Sequence, residues 1–93
     1  MELLQFAVPR RAGEKIATAV SLIAGGATLL EGVGWWVNGN GVVEREPVNL
    51  LVVGVEEKNA NLVVETVKEL LRGEGERAVW YVKNGKPILE WLQ

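Results

Sequence analysis

The sequence predicts an α+β domain in which two amphipathic helices cover one face of an antiparallel sheet. Residues 28–55 contain two β-rich runs on either side of a polar, glycine-punctuated reversal, which is typical of a hairpin. Apolar residues recur at helical spacing both before and after this hairpin. Asn84-Gly85 is a strong signal for a two-residue turn between strands. The 93 residues suffice for one domain, which we expect to span residues 1–93.

The residues before the hairpin predict a strand and then a helix. Residues 3–8 form a compact apolar run that Pro9 ends, as expected for a buried strand, and residues 9–13 are predicted to form a turn. Residues 14–24 then show helical spacing. Gly25-Gly26 should end this helix, because glycine tolerates the left-handed conformation common at helix ends. The predicted apolar face of the helix consists of Ile16, Ala19, Val20 and Ile23.

The residues after the hairpin predict a second helix and two short strands. Asn59 and Asn61 are the candidate N-caps of the helix. Residues 78–82 are rich in β-formers, and residues 87–92 form a short last strand. The order β-α-β-β-α-β with a terminal strand is the ferredoxin-like arrangement, in which both helices lie on one face of the sheet. The predicted apolar face of the second helix consists of Val63, Val67, Leu70 and Leu71.

The composition argues against several kinds of function. A net charge of −2 does not favour binding to nucleic acid or to anionic lipid, both of which are negatively charged. The chain has neither His nor Cys, so the common nucleophile–base pairs and the preferred zinc and copper ligands are missing. We therefore expect a protein that is not an enzyme and that holds no metal. The predicted third strand, residues 49–55, lacks the aromatic and basic residues of an RNA-binding RRM sheet, which excludes RNA as a partner.

The uncharged segment at residues 16–30 is the one stretch that resembles a targeting or membrane signal. Gly25-Gly26 interrupts it, and it is shorter than the roughly 20 residues that a membrane span needs. A buried helix that leads into a strand explains the segment better. We therefore expect a cytoplasmic protein with no membrane partner.

Trp35 and Trp36 are the most distinctive candidates for a functional site. Adjacent strand residues face opposite sides of a sheet, so we expect one of the two to enter the helix-covered core. The other should lie on the open face, where it packs against a neighbouring subunit or walls a ligand pocket. Hydrophobic residues make up 48% of the chain, a heavy load for a small domain, which favours burial between subunits.

Glycine pairs and carboxylates provide further candidates, each with two interpretations. Glycine pairs occur at residues 32/34, 39/41 and 73/75. Each pair either allows the backbone conformation of a turn or bulge, or lets backbone N–H groups bind an anion. The carboxylates are suited either to acid–base chemistry or to a solvated rim, and the rim is favoured because Glu is rarely buried unpaired. These carboxylates belong to Glu44, Glu46, Glu56 and Glu57.

Two of these segments resemble the PII signalling proteins. Residues 31–34, Glu-Gly-Val-Gly, resemble the Lys-Gly-Phe-Gly run at the base of the PII T-loop, and residues 73–75, Gly-Glu-Gly, resemble the Gly-Asp-Gly of the B-loop, which helps hold nucleotide phosphates. The sequence departs from that pattern at residues 35–36, where PII has Arg-Gln, and at Glu76, where PII has Lys. The T-loop, which docks partners in PII, is reduced here to a turn of ordinary hairpin length.

The sequence also resembles the related CutA family. Residues 88–92, Ile-Leu-Glu-Trp-Leu, are similar to its closing Tyr-Leu-x-Trp segment. The residues that look like its Trp-x-Gly-x-Ile run and the acidic residues after it are Trp36, Gly39, Val42, Glu44 and Glu46. The two resemblances imply a homotrimer whose sheets pack inward. Its inter-subunit clefts would accept a small anionic ligand or an adenine nucleotide.

The expected ligand cleft lies where the second strand meets the Gly-Glu-Gly turn. Glycines let the backbone come close, tryptophan forms an apolar wall and arginine donates to an anion. The expected ligand-binding residues are Gly32, Gly34, Trp35, Trp36, Gly73, Gly75 and Arg77. The expected interface residues are Trp36, Pro87 and Trp91. Two alternatives remain open: a structural oligomer subunit with empty clefts, and an ACT-like regulatory domain that binds an amino acid, normally as a dimer.

Overall fold

The computed structural model describes residues 1–92, and these form two helices and one antiparallel five-stranded sheet. The elements are β1 (Glu2–Pro9), α1 (Arg10–Ala24), β2 (Thr28–Val37), β3 (Val43–Val55), α2 (Glu57–Gly73), β4 (Ala78–Lys83) and β5 (Lys86–Trp91). The strand order is β2-β3-β1-β4-β5, so β2 and β5 are the sheet edges. This architecture confirms the predicted ferredoxin-like α+β fold with a short C-terminal strand.

The core lies between the helices and one face of the sheet. Alternate residues of β1 and β3 are buried, as the period of two in a strand requires. The ring of Phe6 is completely buried and stacks on Tyr81 of β4, with 5.1 Å between the ring centroids. The largest fully buried helix residues packed on this face are Ile16 and Val20 of α1 and Val63, Val67 and Leu71 of α2. Both helices thus cover the same face, as predicted.

The junction between β1 and α1 differs from its prediction. The expected turn at residues 9–13 is wrong, because α1 begins at Arg10, directly after Pro9. Gly13 lies inside the helix, where it serves close packing. A Cβ atom on Gly13 would lie 1.9 Å from the side-chain oxygen of Asn49. Asn49 is the buried polar residue of β3, and its Nδ2 donates to the Leu30 carbonyl at 3.4 Å.

The helix ends follow the predictions in part. Gly25 has a φ of 93° and donates its N–H to the Ser21 carbonyl, which confirms the expected stop of α1. The candidate N-caps of α2 are wrong, because that helix begins at Glu57 and Glu56 occupies the cap position. Asn59 lies in the first turn and donates its N–H to the Glu56 carbonyl.

The hairpin of β2 and β3 is longer than predicted. β3 begins at Val43, so two of the four candidate rim carboxylates, Glu44 and Glu46, lie within a strand. Asn38 closes the short reversal at residues 38–42. Its Oδ1 accepts the N–H groups of Asn40 at 2.8 Å and Val42 at 3.1 Å, and its Nδ2 donates to Glu44.

The hairpin of β4 and β5 confirms the predicted turn and edge strand. Asn84 and Gly85 both have positive φ, 50° and 83°, as a two-residue turn of this class requires. Asn84 also exchanges hydrogen bonds with the backbone of Leu3 on β1, which fixes the turn against the sheet.

Among residues 1–92, neither helix combines the length and apolar character needed to cross a membrane.

Candidate functional site

The sheet face opposite the helices exposes large apolar side chains. Phe6 pairs with Leu51 on β3 and Tyr81 on β4, and all three are buried under the helices. The residues next to them in each strand therefore lie on the other side of the sheet. We call this side the open face, and its exposed large apolar residues are Leu3, Leu30, Trp36, Trp80, Leu89 and Trp91.

The expectation that either Trp35 or Trp36 enters the core is wrong. Trp36 lies on the open face and is 42% exposed, and Trp35 points to the helix side yet is 63% exposed. The reason is the length of the hairpin, since burial on β3 begins only at Asn49 and the preceding residues extend past the helices. The Trp35 ring instead lies 5.5 Å from the guanidinium carbon of Arg45, a cation–π contact on an exposed arm.

A half-open cavity of about 980 Å³ lies between the β2–β3 hairpin and the start of β4. Its floor is formed by small and apolar residues of β1 and β3, including Ala7, Pro9 and Val48. Trp36 and Trp80 line the cavity from the two sides of this floor. A concave, largely apolar site of this size falls within the range of small-molecule pockets.

The cavity brings together five of the seven expected ligand residues. These are Gly34, Trp35, Trp36, Gly75 and Arg77. Gly32 and Gly73 lie outside the lining. The carbonyl of Gly32 accepts a hydrogen bond from Arg10 at 2.8 Å, and Gly73 is the last residue of α2.

Trp80 and Glu46 line the cavity but were not expected there. Trp80 alternates with the buried residues Val79 and Tyr81, so the strand pattern places it on the open face. This alternation is a signal in the sequence that could have identified Trp80. Glu46 was a candidate carboxylate of the sequence, but its place in the cavity depends on how β3 lies beside β1 and β4 in the sheet.

The charges of the Gly-Glu-Gly-Glu turn are paired with α1. Glu74 lies 3.4 Å from Arg11 and 3.3 Å from Lys15, and the carboxylate of Glu76 lies 3.9 Å from Arg11. Two other charged residues of the cavity lining, Glu46 and Arg77, have no ion pair within residues 1–92.

The expected interface residues all lie on the open face. Trp36 belongs to the edge strand β2, and Pro87 and Trp91 belong to the opposite edge strand β5. Trp91 is 72% exposed, so its ring is not part of the core of a single chain.

Residues 1–92 contain no cluster of three acidic side chains arranged to hold a metal ion.

A separate polar cluster joins β4, β5 and α2 on the helix side. The Tyr81 hydroxyl donates to Glu90 at 2.9 Å, and Lys68 lies 2.6 Å from Glu90 and 3.1 Å from Glu65. Burial, together with the hydrogen bond to Glu90, raises the pKa of Tyr81 to about 12. Hydrogen bonds from Lys68 and Tyr81 lower the pKa of Glu90, and those to Glu90 and Glu65 raise the pKa of Lys68. The cluster fastens the edge strand to α2 and lies away from the cavity.

Comparisons with known proteins identify the fold. No family profile and no curated protein match the sequence. Among solved structures, a CutA from Pyrococcus horikoshii superposes with a TM-score of 0.68 at 17% identity, over 98% of this chain and 83% of that one. The fold is CutA-like. A phage SAM lyase in complex with S-methyl-5'-thioadenosine superposes with a TM-score of 0.73 at 12% identity, over 97% of this chain and 88% of that one.

The lyase corrects one expectation from the sequence. We expected a protein that is not an enzyme, because the chain has no His or Cys and resembles binding proteins. A structural neighbour that is an enzyme by its description overturns that expectation. At these identities the likeness shows the fold alone, and this fold is compatible with both kinds of protein.

Proposed function

We propose that this protein is a homotrimer that binds a small adenosine-containing ligand in the cavity beside Trp36 and Trp80. One observation carries the proposal: two of the four tryptophans of the chain, Trp36 and Trp80, lie on the open face and line a single cavity. Clustering of exposed tryptophans around a concave apolar floor is characteristic of a recognition site rather than of a solvated surface.

The cavity suits a flat, partly apolar ligand. An aromatic side chain that stacks on a nucleobase contributes about 1–3 kcal/mol of binding free energy per base. Trp36 and Trp80 lie beside a floor of Ala7 and Pro9, which is wide and apolar enough to accept a purine ring. The ligand bound to the phage SAM lyase, S-methyl-5'-thioadenosine, is an adenosine of this kind and supports the choice of probe.

The open face supports assembly of several copies of the chain. Monomeric proteins rarely expose contiguous large apolar patches, and six large apolar side chains are exposed on this one face. Each of the edge strands, β2 and β5, is paired on one side only within residues 1–92, so its outer edge is free to pair with another chain. A neighbouring chain on the open face would cover Trp80 and Leu89 and close the cavity on its exposed side. The resemblance to PII and CutA favours a trimer over other assemblies.

The proposal is tested by titrating S-methyl-5'-thioadenosine, SAM, AMP and ATP while tryptophan fluorescence is followed. We expect saturable binding of at least one adenosine compound. Replacing Trp80→Leu should weaken it by about tenfold, which corresponds to about 1.4 kcal/mol of stacking free energy. The matched control is Leu22→Ala, which removes an exposed apolar side chain of α1, away from the open face and the cavity lining, and should leave the affinity unchanged.

The outcome that contradicts binding is the absence of any fluorescence response to all four compounds at millimolar concentration. The protein would then be a structural subunit with an empty cavity. Incubation with SAM, followed by chromatography for new adenosine-containing products, measures turnover in the same samples. New products that depend on Trp80 would make the cavity an active site.

A further inference from the structure

Asn-Gly pairs occur three times in the chain, at residues 38–39, 40–41 and 84–85. In such a pair the backbone nitrogen of glycine can attack the side-chain amide carbon of asparagine, and glycine has no side chain to obstruct the attack. The new carbon–nitrogen bond closes a succinimide ring, and the amide nitrogen leaves as ammonia with the proton of the glycine N–H. Water then opens the ring to give aspartate or isoaspartate. The attack requires an asparagine side chain that is free to turn toward the next nitrogen.

The fold holds the side chain of Asn84 in place. Its Oδ1 accepts the N–H of Leu3 at 2.7 Å, and its Nδ2 donates to the carboxylate of Glu2. The N–H of Asn84 also donates to the Leu3 carbonyl at 2.8 Å. These contacts join the β4–β5 turn to β1, so the amide of Asn84 cannot turn toward Gly85 unless long-range hydrogen bonds break.

The side chain of Asn38 is held within its own hairpin. Its Oδ1 accepts the N–H groups of Asn40 at 2.8 Å and Val42 at 3.1 Å, and its Nδ2 donates to Glu44 at 3.0 Å. Both polar atoms of this amide group thus have partners. The backbone N–H of Asn38 donates to the Val42 carbonyl at 2.9 Å. Attack by Gly39 on Asn38 therefore requires the whole reversal to open.

Asn40 lies at the exposed end of the same reversal, and its side chain has no hydrogen bond within residues 1–92. The attacking nitrogen, that of Gly41, donates to the Asn38 carbonyl at 3.0 Å. Opening this one hydrogen bond frees the nitrogen, whereas the other two Asn-Gly pairs must release several. A single hydrogen bond in water adds little net stability, because water replaces the partner. The structure thus protects two of the three pairs and leaves one reactive.

We propose that Asn40 is a site of spontaneous deamidation, at which the chain modifies itself with water as the co-reactant. The product adds one negative charge to a chain whose net charge is −2. Because the Asn40 side chain supports no hydrogen bond, the aspartate form should keep the reversal that Asn38 closes. Reaction at Asn84 would instead place a second carboxylate beside Glu2. Asn40 lies outside the cavity lining, so its reaction does not depend on a ligand.

The test is incubation of the folded protein at mildly alkaline pH, followed by peptide mapping with mass spectrometry. Cleavage after lysine and arginine places Asn84 in a different peptide from Asn38 and Asn40, and fragmentation resolves the latter two. We expect deamidation at Asn40 to be at least about tenfold faster than at either other site, as two ordinary hydrogen bonds would provide. The same incubation in urea is the control. All three pairs should then react at similar rates, because the fold no longer protects two of them.

Two variants of Glu2 test the protection of Asn84 directly. Glu2→Ala removes the acceptor of the Asn84 Nδ2 and should raise the rate at Asn84 about fivefold, as the loss of one hydrogen bond would provide. Glu2→Gln keeps an acceptor and should leave that rate near the wild-type value. Neither substitution should change the rate at Asn40. Circular dichroism of each variant verifies that it is folded.

Two outcomes in the folded wild-type protein would overturn the proposal. One is an unreactive Asn40 under conditions in which the unfolded chain reacts at all three pairs. The other is a rate at Asn38 or Asn84 that equals or exceeds the rate at Asn40. Faster reaction at Asn38 would show that the two N–H groups on its Oδ1 stabilise the oxyanion of the attacked amide rather than restrain the side chain.

Discussion

The two faces of the sheet carry similar apolar residues and use them differently. On the helix side, Leu4, Phe6 and Leu51 are completely buried under α1 and α2. On the open face, Leu3, Trp80 and Leu89 occupy the neighbouring strand positions and remain largely exposed. Two helices are enough to complete one core in a chain of this length. The second apolar face therefore contributes little to the stability of the single chain and is available for assembly and for a ligand.

Polar groups show the same contrast. On the helix side, Asn49 bonds to the Leu30 carbonyl and Tyr81 bonds to Glu90, so the polar side chains there have partners. In the cavity, Glu46 and Arg77 have no ion pair in the described residues. The partnered groups on the helix side stabilise the fold, whereas the side chains of Glu46 and Arg77 remain accessible to water and to a ligand.

The largest expected difference between the faces concerns aromatic truncation. Phe6→Ala should lower the free energy of unfolding by about 3–5 kcal/mol, because it removes a completely buried ring that stacks on Tyr81. Trp91→Ala should cost little in dilute protein, since its ring is exposed in the single chain. Urea unfolding at several protein concentrations distinguishes the effects of the two substitutions. The cost of Trp91→Ala should grow with concentration as assembly contributes, and the cost of Phe6→Ala should not. A large, concentration-independent cost at Trp91 would contradict the contrast.

A smaller effect is expected at the contact between α1 and β3. Gly13→Ala would place a methyl group against the Asn49 side chain, and overpacking of this kind costs about 1–3 kcal/mol. Gly26→Ala is the matched control, because no atom lies within 4 Å of its Cβ position. The double variant Gly13→Ala/Asn49→Ala should recover part of the loss by relieving the contact. Equal unfolding free energies for the Gly13 and Gly26 variants would show that the close approach is not a constraint.

The subtlest prediction concerns the pKa of Tyr81, the one tyrosine in the sequence. We expect it to ionise near pH 12 in the folded protein, compared with about 10 in an unfolded chain. A raised folded pKa means that this contribution to stability is complete below about pH 10 and is lost as the pH rises toward 12. The near-ultraviolet absorbance of tyrosinate follows this titration, with circular dichroism in parallel to monitor folding. Glu90→Gln should lower the pKa in part, because burial remains. An ordinary pKa in folded protein would disprove the packing described for β4 and β5.

Most of the fold could be predicted from the sequence, because the helices and strands follow from the local periodicity of apolar residues. Both helices, both hairpins and the terminal edge strand follow from local patterns and from turn residues such as Asn84-Gly85. The errors occur where tertiary contacts decide the outcome. Gly13 looks like a turn residue until Asn49 is known to pack against it. One tryptophan of the Trp35-Trp36 pair was expected in the core, because alternation cannot show that the hairpin extends past the helices.

The candidate site was predicted less completely than the fold. Gly34, Trp36 and Arg77 line the cavity, and short resemblances pointed to them. Trp80 was missed, and Glu46 was named only as a candidate carboxylate and in the CutA-like run, because the two lie far apart in sequence and approach only through the strand order β3-β1-β4. Their shared cavity is a property of the sheet and of no single segment.

The central claim, that the open face is an interface between copies of the chain, is tested most directly by the mass in solution. Light scattering on the wild-type protein at micromolar concentration should give about three times the chain mass of 10.2 kDa. Leu89→Glu places a charge on the open face and should give the mass of one folded chain. Leu22→Glu introduces the same charge on the exposed side of α1, where Leu22 is 86% exposed, and should keep the wild-type mass. A wild-type protein with the mass of one chain, or a Leu89→Glu variant with the mass of three, would contradict the account.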